Sequence, residues 1–402
     1  MKKTMKSLLA LITTLTLAGS LLSGCGSKEN TNPAPETPAP SGEETEAPAA
    51  ETESSGGTTF GIEPLASKTM IDLAYFSGAE HGLVFYIMDE MGWAEELNIG
   101  FNWSYFNAGP AMMEANGSWD VGTAGAAGAV NGIVGYDVNV IGISQYEHIL
   151  NCFVREDSPI YQAGKGNATE APEVYGDADS LRGTTWLLPV GTTAQQTLAL
   201  YLAYFGLTTD DVTMTNMDVG SALAAFRAGE GDGMILWTST NVTAQEEGFK
   251  SVCSCDDVNG VYSTCLLATD NALDTKMDAV TTLFELYFNV EDWMMEHPDE
   301  MAKMYFEACE VEGISCTETI AQYTAEVYEG LGIEKALERM TTEVDDPLGL
   351  ADRQISGGEF DVLDTMDYFV TLGSYTEEDR MKVLENNRIT SAVAEAVLEK
   401  RQ

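Results

Sequence analysis

A strand-then-helix alternation that runs once and then restarts is the feature that most constrains this chain of 402 residues. Residues 70–76 (MIDLAYF) read as a strand and 82–97 as a helical stretch; 99–106 (IGFNWSYF) and 119–125 (WDVGTAG) are further strands with a short helix, 109–118, between them. A helix AAGAVNGIVG and strands at 138–144 and 148–156 follow. From Ser180 the pattern starts afresh with TTWLLPV, TAQQTLALYLAYFG, DVTMTNMD, VGSALAAFRAGEG and GMILWTS. Alternation of this kind builds largely parallel sheets covered by helices. Two rounds of it, a re-entry through 261–270 and a mostly helical remainder from 273 to 402 predict an α/β fold of two lobes joined by two chain crossings, with a helical C-terminal extension. The expected boundaries are 66–157 for the first part of lobe 1, 158–262 for lobe 2, and 263–402 for the return to lobe 1 and the C-terminal helices. A clamshell so built takes small ligands between its lobes, where loops at the strand C-termini meet.

The N-terminus reads as processing and tethering sequence. Lys2, Lys3 and Lys6 precede an apolar run from Leu8 to Leu22 and then LSGC, ending at Cys25. The run has the length of a signal peptide rather than of a membrane span. Residues 1–24 are therefore expected to be a lipoprotein signal peptide, with Cys25 lipidated and anchoring the chain to the outer face of a membrane through acyl chains such as palmitate. Residues 25–65 carry six of the twelve prolines and read as a disordered tether rich in Pro, Glu, Ser and Thr. Such a segment buries too little apolar surface to offset its chain entropy; as a coil it spans roughly 35 Å.

Sixty-four acids against twenty bases give a net charge of −44, and loss of the three signal lysines takes it to −47. So acidic a chain is not a nucleic-acid binder. Cys152, Cys253, Cys255, Cys265, Cys309 and Cys316 allow 15 connectivities, among which the sequence does not choose. With His only at 81, 148 and 297, no metal-ligand spacing appears. Neither a nucleophile elbow, a P-loop nor a dinucleotide fingerprint is present, so no enzyme activity and no cofactor are expected.

Two helix starts stand out. From Val121 to Tyr136 and from Gly183 to Thr209 there is no charged side chain, although helix N-termini commonly carry Asp or Glu in the first turn. Hydroxyl and small residues at such ends leave backbone N–H groups free for an oxyanion. One such start in each lobe, at GTAGAAGAV (122–130) and VGTTAQ (190–195), together with FSGAEHG (76–82) after the first strand, outlines an anion clamp. Trp237, at the end of the last strand of lobe 2, would wall it.

Residues 106–144 (FNAGPAMMEANGSWDVGTAGAAGAVNGIVGYDVNVIGIS), 180–212, 222–250 and the segment HPDEMAKMY (297–305) resemble, in order, the solute-binding proteins for sulfonates, taurine and nitrate in ABC importers. The resemblance spans nearly all of 70–390 and implies a type II periplasmic-binding fold. It also implies a monomer that passes a small anion to a permease and its ATPase. Carried over residue by residue, it places ligand contacts at Ser77, Gly78, His81, Thr123, Gly125, Ala126, Thr192, Thr193 and Trp237. Two departures bear on the ligand. The family's W.P becomes WTS at Trp237, and none of the three cleft loops carries Arg or Lys. The alternative ligand is a neutral or cationic heterocycle such as a thiamine-type pyrimidine, for which aromatic walls, Glu80 and His81 are suited.

Overall fold

The computed structural model describes residues 57–260 and 262–402; the expected signal peptide, the lipidated Cys25 and most of the tether lie outside them. Ten strands form two five-stranded sheets. They are β1 (Thr69–Phe76), β2 (Ile99–Phe106), β3 (Val121–Gly125), β4 (Val138–Tyr146), β5 (Leu150–Val154), β6 (Thr185–Leu188), β7 (Thr213–Asn216), β8 (Gly233–Trp237), β9 (Lys250–Ser254) and β10 (Ser263–Thr269). The first sheet has the order β2-β1-β3-β10-β4 and the second β7-β6-β8-β5-β9. Each therefore repeats one plan: three parallel strands, an antiparallel strand brought in from the other lobe, and an outer strand.

That plan corrects the expected boundaries in two places. β5 pairs with β8 and β9, so it belongs to lobe 2, and the first crossing is the three residues Glu147–Ile149. The folded part also reaches further back than residue 66. Thr59 donates its N–H to Glu96 at 2.8 Å, Phe60 sits edge-on to Trp93, and Ile62 is buried.

Lobe 1 buries its apolar strand faces under helices, chiefly the long helix Asp270–Glu296. Phe284 and Phe288 of that helix press on β4 at Gly142, where an added Cβ would stand 2.9 Å from the Phe288 ring. A helix–sheet approach this close is one use of a strand glycine. The helix kinks at Lys276 (φ −133°), whose ammonium reaches the Met70 carbonyl at 2.9 Å and buried Asp120 at 2.6 Å. In lobe 2 the two faces of the sheet bury separate clusters, one around Trp186, Leu198 and Tyr201 and one around Phe153, Phe226 and Leu236. Among the described residues no helix is long and apolar enough to cross a membrane.

Candidate functional site

The strand C-termini of both sheets and the crossings converge on a cavity of about 60 Å³. Lobe 1 supplies the start of the helix Glu80–Glu90 and the start of the helix Ala126–Gly135; lobe 2 supplies Thr192, Thr193, Trp237 and Thr238. The first crossing forms the back, and its Glu147 N–H donates to the Tyr262 carbonyl of the second crossing at 2.8 Å.

Glu147 resolves the two charge-free helix starts. The helix Thr193–Ala203 is in fact capped: Thr192 Oγ1 accepts from the Ala194 N–H at 3.3 Å and donates to the Pro189 carbonyl at 2.7 Å. The next hydroxyl, Thr193 Oγ1, donates to Glu147 Oε2 at 3.2 Å. Across the cleft, Glu147 Oε1 lies 3.2 Å from where a Cβ on Gly125 would stand, and Gly125 is the N-cap of the helix Ala126–Gly135. One carboxylate thus sits between a helix start of lobe 1 and a helix start of lobe 2. Acid is absent from both first turns because the crossing brings it there from elsewhere in the chain.

The remaining polar groups are acceptors or neutral. Glu80 is 5 % exposed, and its carboxyl makes no hydrogen bond to any described side chain. Burial pushes Glu80 up to about 7. Burial likewise pushes Glu147 up to about 8, partly opposed by the Thr193 bond and reinforced by the charge of Glu80. His81 is held neutral, lowered to about 3 by burial, with Nδ1 2.8 Å from Thr123 Oγ1. Gln145 is buried on β4, and its carbonyl oxygen has no partner among the described residues. A buried orphan acceptor costs about 1–3 kcal/mol unless something donates to it. Glu329 and His148 stand exposed at the rim, and among the described residues no Lys or Arg lines the cavity.

Of the nine positions expected from the sequence, His81, Gly125, Thr192, Thr193 and Trp237 line this cavity. Thr123 and Ala126 lie just behind it, Thr123 acting by holding His81. Ser77 and Gly78 point elsewhere. The Ser77 N–H is taken by the Phe106 carbonyl at 2.8 Å, and the Gly78 N–H donates to Glu312 at 2.7 Å. Gln145 and Glu147 escaped the sequence reading, since nothing local distinguishes a polar residue at a crossing from one in any loop.

Thr238, also on the cavity wall, has φ +48°. A β-branched residue in the left-handed region costs about 1–3 kcal/mol, and here it is held by the bond from its N–H to the Ile149 carbonyl at 3.1 Å. Replacing Thr238 with Gly is expected to stabilise the ligand-free protein by about 1 kcal/mol, or about 1–2 °C in Tm. An unchanged or lower Tm would show that the surroundings do not store strain there.

Fold and cleft together define a two-lobed protein of the periplasmic-binding fold. Residues 171–301 match the family model described as NMT1/THI5 like. A Brachyspira hyodysenteriae protein, provisionally named an ABC transporter periplasmic binding protein, is 29 % identical over 202 residues; the match covers 50 % of this chain and spans 58 % of that relative's length. Among solved structures, the alkanesulfonate-binding protein SsuA of Xanthomonas axonopodis pv. citri, bound to MOPS, aligns with a TM-score of 0.54 at 18 % identity, covering 65 % of this chain and 85 % of that one. SsuA from Escherichia coli, an aliphatic sulphonate binding protein, aligns with a TM-score of 0.51 at 18 % identity, covering 64 % and 78 %. A Candida albicans gene product described as having the generic periplasmic binding protein fold aligns with a TM-score of 0.57 at 12 % identity, covering 80 % and 96 %. At such identities the likeness is one of fold.

Proposed function

We propose that this protein is the extracytoplasmic solute-binding component of an ABC importer, anchored at Cys25, and that it closes on a small neutral or cationic nitrogen heterocycle of the thiamine-pyrimidine kind. The importer role is supported by the match to a periplasmic binding protein and by the ordered two-lobe plan. The solute class is carried by one observation: Glu147 occupies the position between the two helix starts where a bound oxyanion would lie. What remains open to a solute is lined by Glu80, Glu147, the unpartnered Gln145 oxygen and the unpartnered Tyr328 hydroxyl, with no Lys or Arg among the described residues. Acceptors call for a donor-rich ligand, and because burial holds Glu80 and Glu147 up near neutral pH, a cationic ring would bind by drawing out their charged forms, with loss of a proton. Trp237 and Phe76 supply apolar wall for a ring.

A sulfonate, taurine or nitrate would have to displace Glu147 or share the helix starts with it, and could share them only while Glu147 keeps its proton. A thermal-shift panel of thiamine, its aminopyrimidine, taurine, alkanesulfonates and nitrate separates the classes. Ligand at 100 times its Kd adds about 2.7 kcal/mol, a plain rise in Tm. The rise is expected with the pyrimidines; a rise confined to the sulfonates or nitrate would overturn the solute assignment.

A further inference from the structure

β5 and β9 run antiparallel, and their register sets Cys152 directly opposite Cys253. Opposed residues in an antiparallel pair stand about 4.5 or 5.5 Å apart at Cα, according to whether they exchange backbone hydrogen bonds, and their side chains leave the same face. Both spacings fall inside the roughly 4.4–6.8 Å that a relaxed disulfide spans. Neighbouring thiols do not compete. Cys255 lies opposite Leu150, to whose carbonyl its N–H donates at 2.9 Å, and its Sγ is turned to the Glu147 carbonyl at 3.5 Å. Cys265 belongs to the other sheet, between Ala124 and Ile143.

Both opposed side chains are buried in the lobe 2 core, Cys152 at 0 % and Cys253 at 1 % exposed. Burial, first of all, pushes the Cys253 thiol up, so within the finished fold it is a poor nucleophile. A bond between them has to form while the strands are still reachable.

We propose that Cys152 and Cys253 are joined by a disulfide in the mature protein, made as lobe 2 folds. The oxidant is an already oxidised dithiol, protein-borne or small. One cysteine thiolate attacks its disulfide to give a mixed disulfide, and the second cysteine displaces the remaining thiol. Cys152 and Cys253 each lose a proton and are oxidised to one S–S bond, while the oxidant is reduced to two thiols. The inference rests on the extracytoplasmic placement proposed above, where such oxidants persist.

The position gives the bond its purpose. Cys152 comes just after the first crossing and Cys253 just before the second, so the closed loop is about a hundred residues long and contains the body of lobe 2. The strand that brings the chain into the lobe is tied to the strand that takes it out. The base of lobe 2 then stays fixed while the crossings flex and the cleft opens.

The test is peptide mapping of the full chain with thiol labelling under denaturant, first without and then with reductant. It is run on protein isolated from cells and on protein refolded with oxidised glutathione. A linked Cys152–Cys253 peptide is expected in both, splitting with a gain of about 2 Da on reduction. C152S is expected to leave Cys253 open to label without reductant. C152S/C253S should melt roughly 5–10 °C below the oxidised protein, a gap that reductant closes. Two freely labelled thiols after glutathione refolding would overturn the pairing itself. A bond found after refolding but absent from cell-isolated protein would overturn it through the compartment instead. Should the variants fail to fold, the map of the unmodified chain still decides.

Discussion

Replacing Glu147 with Lys is expected to weaken binding of the aminopyrimidine at least 100-fold, the largest loss of any single cavity substitution. The change removes the carboxyl group that Thr193 orients and sets an ammonium against the solute's own donors. A lost charge-assisted hydrogen bond accounts for about 1.5–3 kcal/mol, and repulsion of a cationic ring adds to it; each 1.4 kcal/mol is tenfold. The Glu147→Gln variant keeps the shape and removes the charge, so its loss should be smaller, and nearly nil for a neutral ring. Calorimetric titration of both variants reads the difference. Tighter binding of a sulfonate by the lysine variant alone, with pyrimidine binding untouched, would mean that Glu147 guards the site rather than serving it.

Stability of the ligand-free protein is expected to fall as pH rises from about 4.5 to 8, and Glu291 is the clearest source. It is wholly buried on the helix Asp270–Glu296, accepting from Ser144 and from the Gly332 N–H at 3.2 Å, and burial pushes it up to about 8. A carboxyl whose folded pKa lies above its unfolded value binds its proton more tightly in the native state. Its contribution is therefore complete below about pH 4.5 and is lost as pH climbs through 8. At 1.36 kcal/mol per unit, Glu291 alone accounts for on the order of 5 kcal/mol. Glu80 and Glu147, raised to about 7 and 8, act in the same direction. Glu291→Gln reproduces the protonated shape without a proton to lose. Its urea midpoint should match the parent near pH 5 and exceed it at pH 8.5. Parallel midpoints across that range would place the pH dependence elsewhere.

The fold was legible where periodicity and punctuation agree. The alternation over 70–144 and again over 185–237 follows from apolar strands separated by charge-poor helices, and the strands and helices of both stretches stand in the order it predicts. β5 defeats the same reasoning. Only three residues separate it from β4, a spacing that reads as a neighbour in one sheet, yet those three residues carry the chain to the other lobe. The site was legible as a pair of uncharged helix starts and illegible as to what they face. Glu147 is one of 64 acids, and only the closing of two lobes onto one crossing singles it out. Gln145 shows the same limit, for its orphan oxygen exists only once β4 and its neighbours are packed. Ser77 and Gly78 look like a ligand loop by position, but Phe106 and Glu312 come from elsewhere in the chain to claim their N–H groups.

The exchange of strands between sheets also orders the events of synthesis. β10 lies between β3 and β4, so the lobe 1 sheet stays in two pieces until residues 263–269 have emerged. Lobe 2 runs unbroken from β5 to β9 and is whole before that point. The second lobe is then the first to be finished, and the first-made segment waits, unzipped, for a strand translated some 120 residues after β4. Lobe 1 therefore cannot join its two halves until about two thirds of the chain has been made.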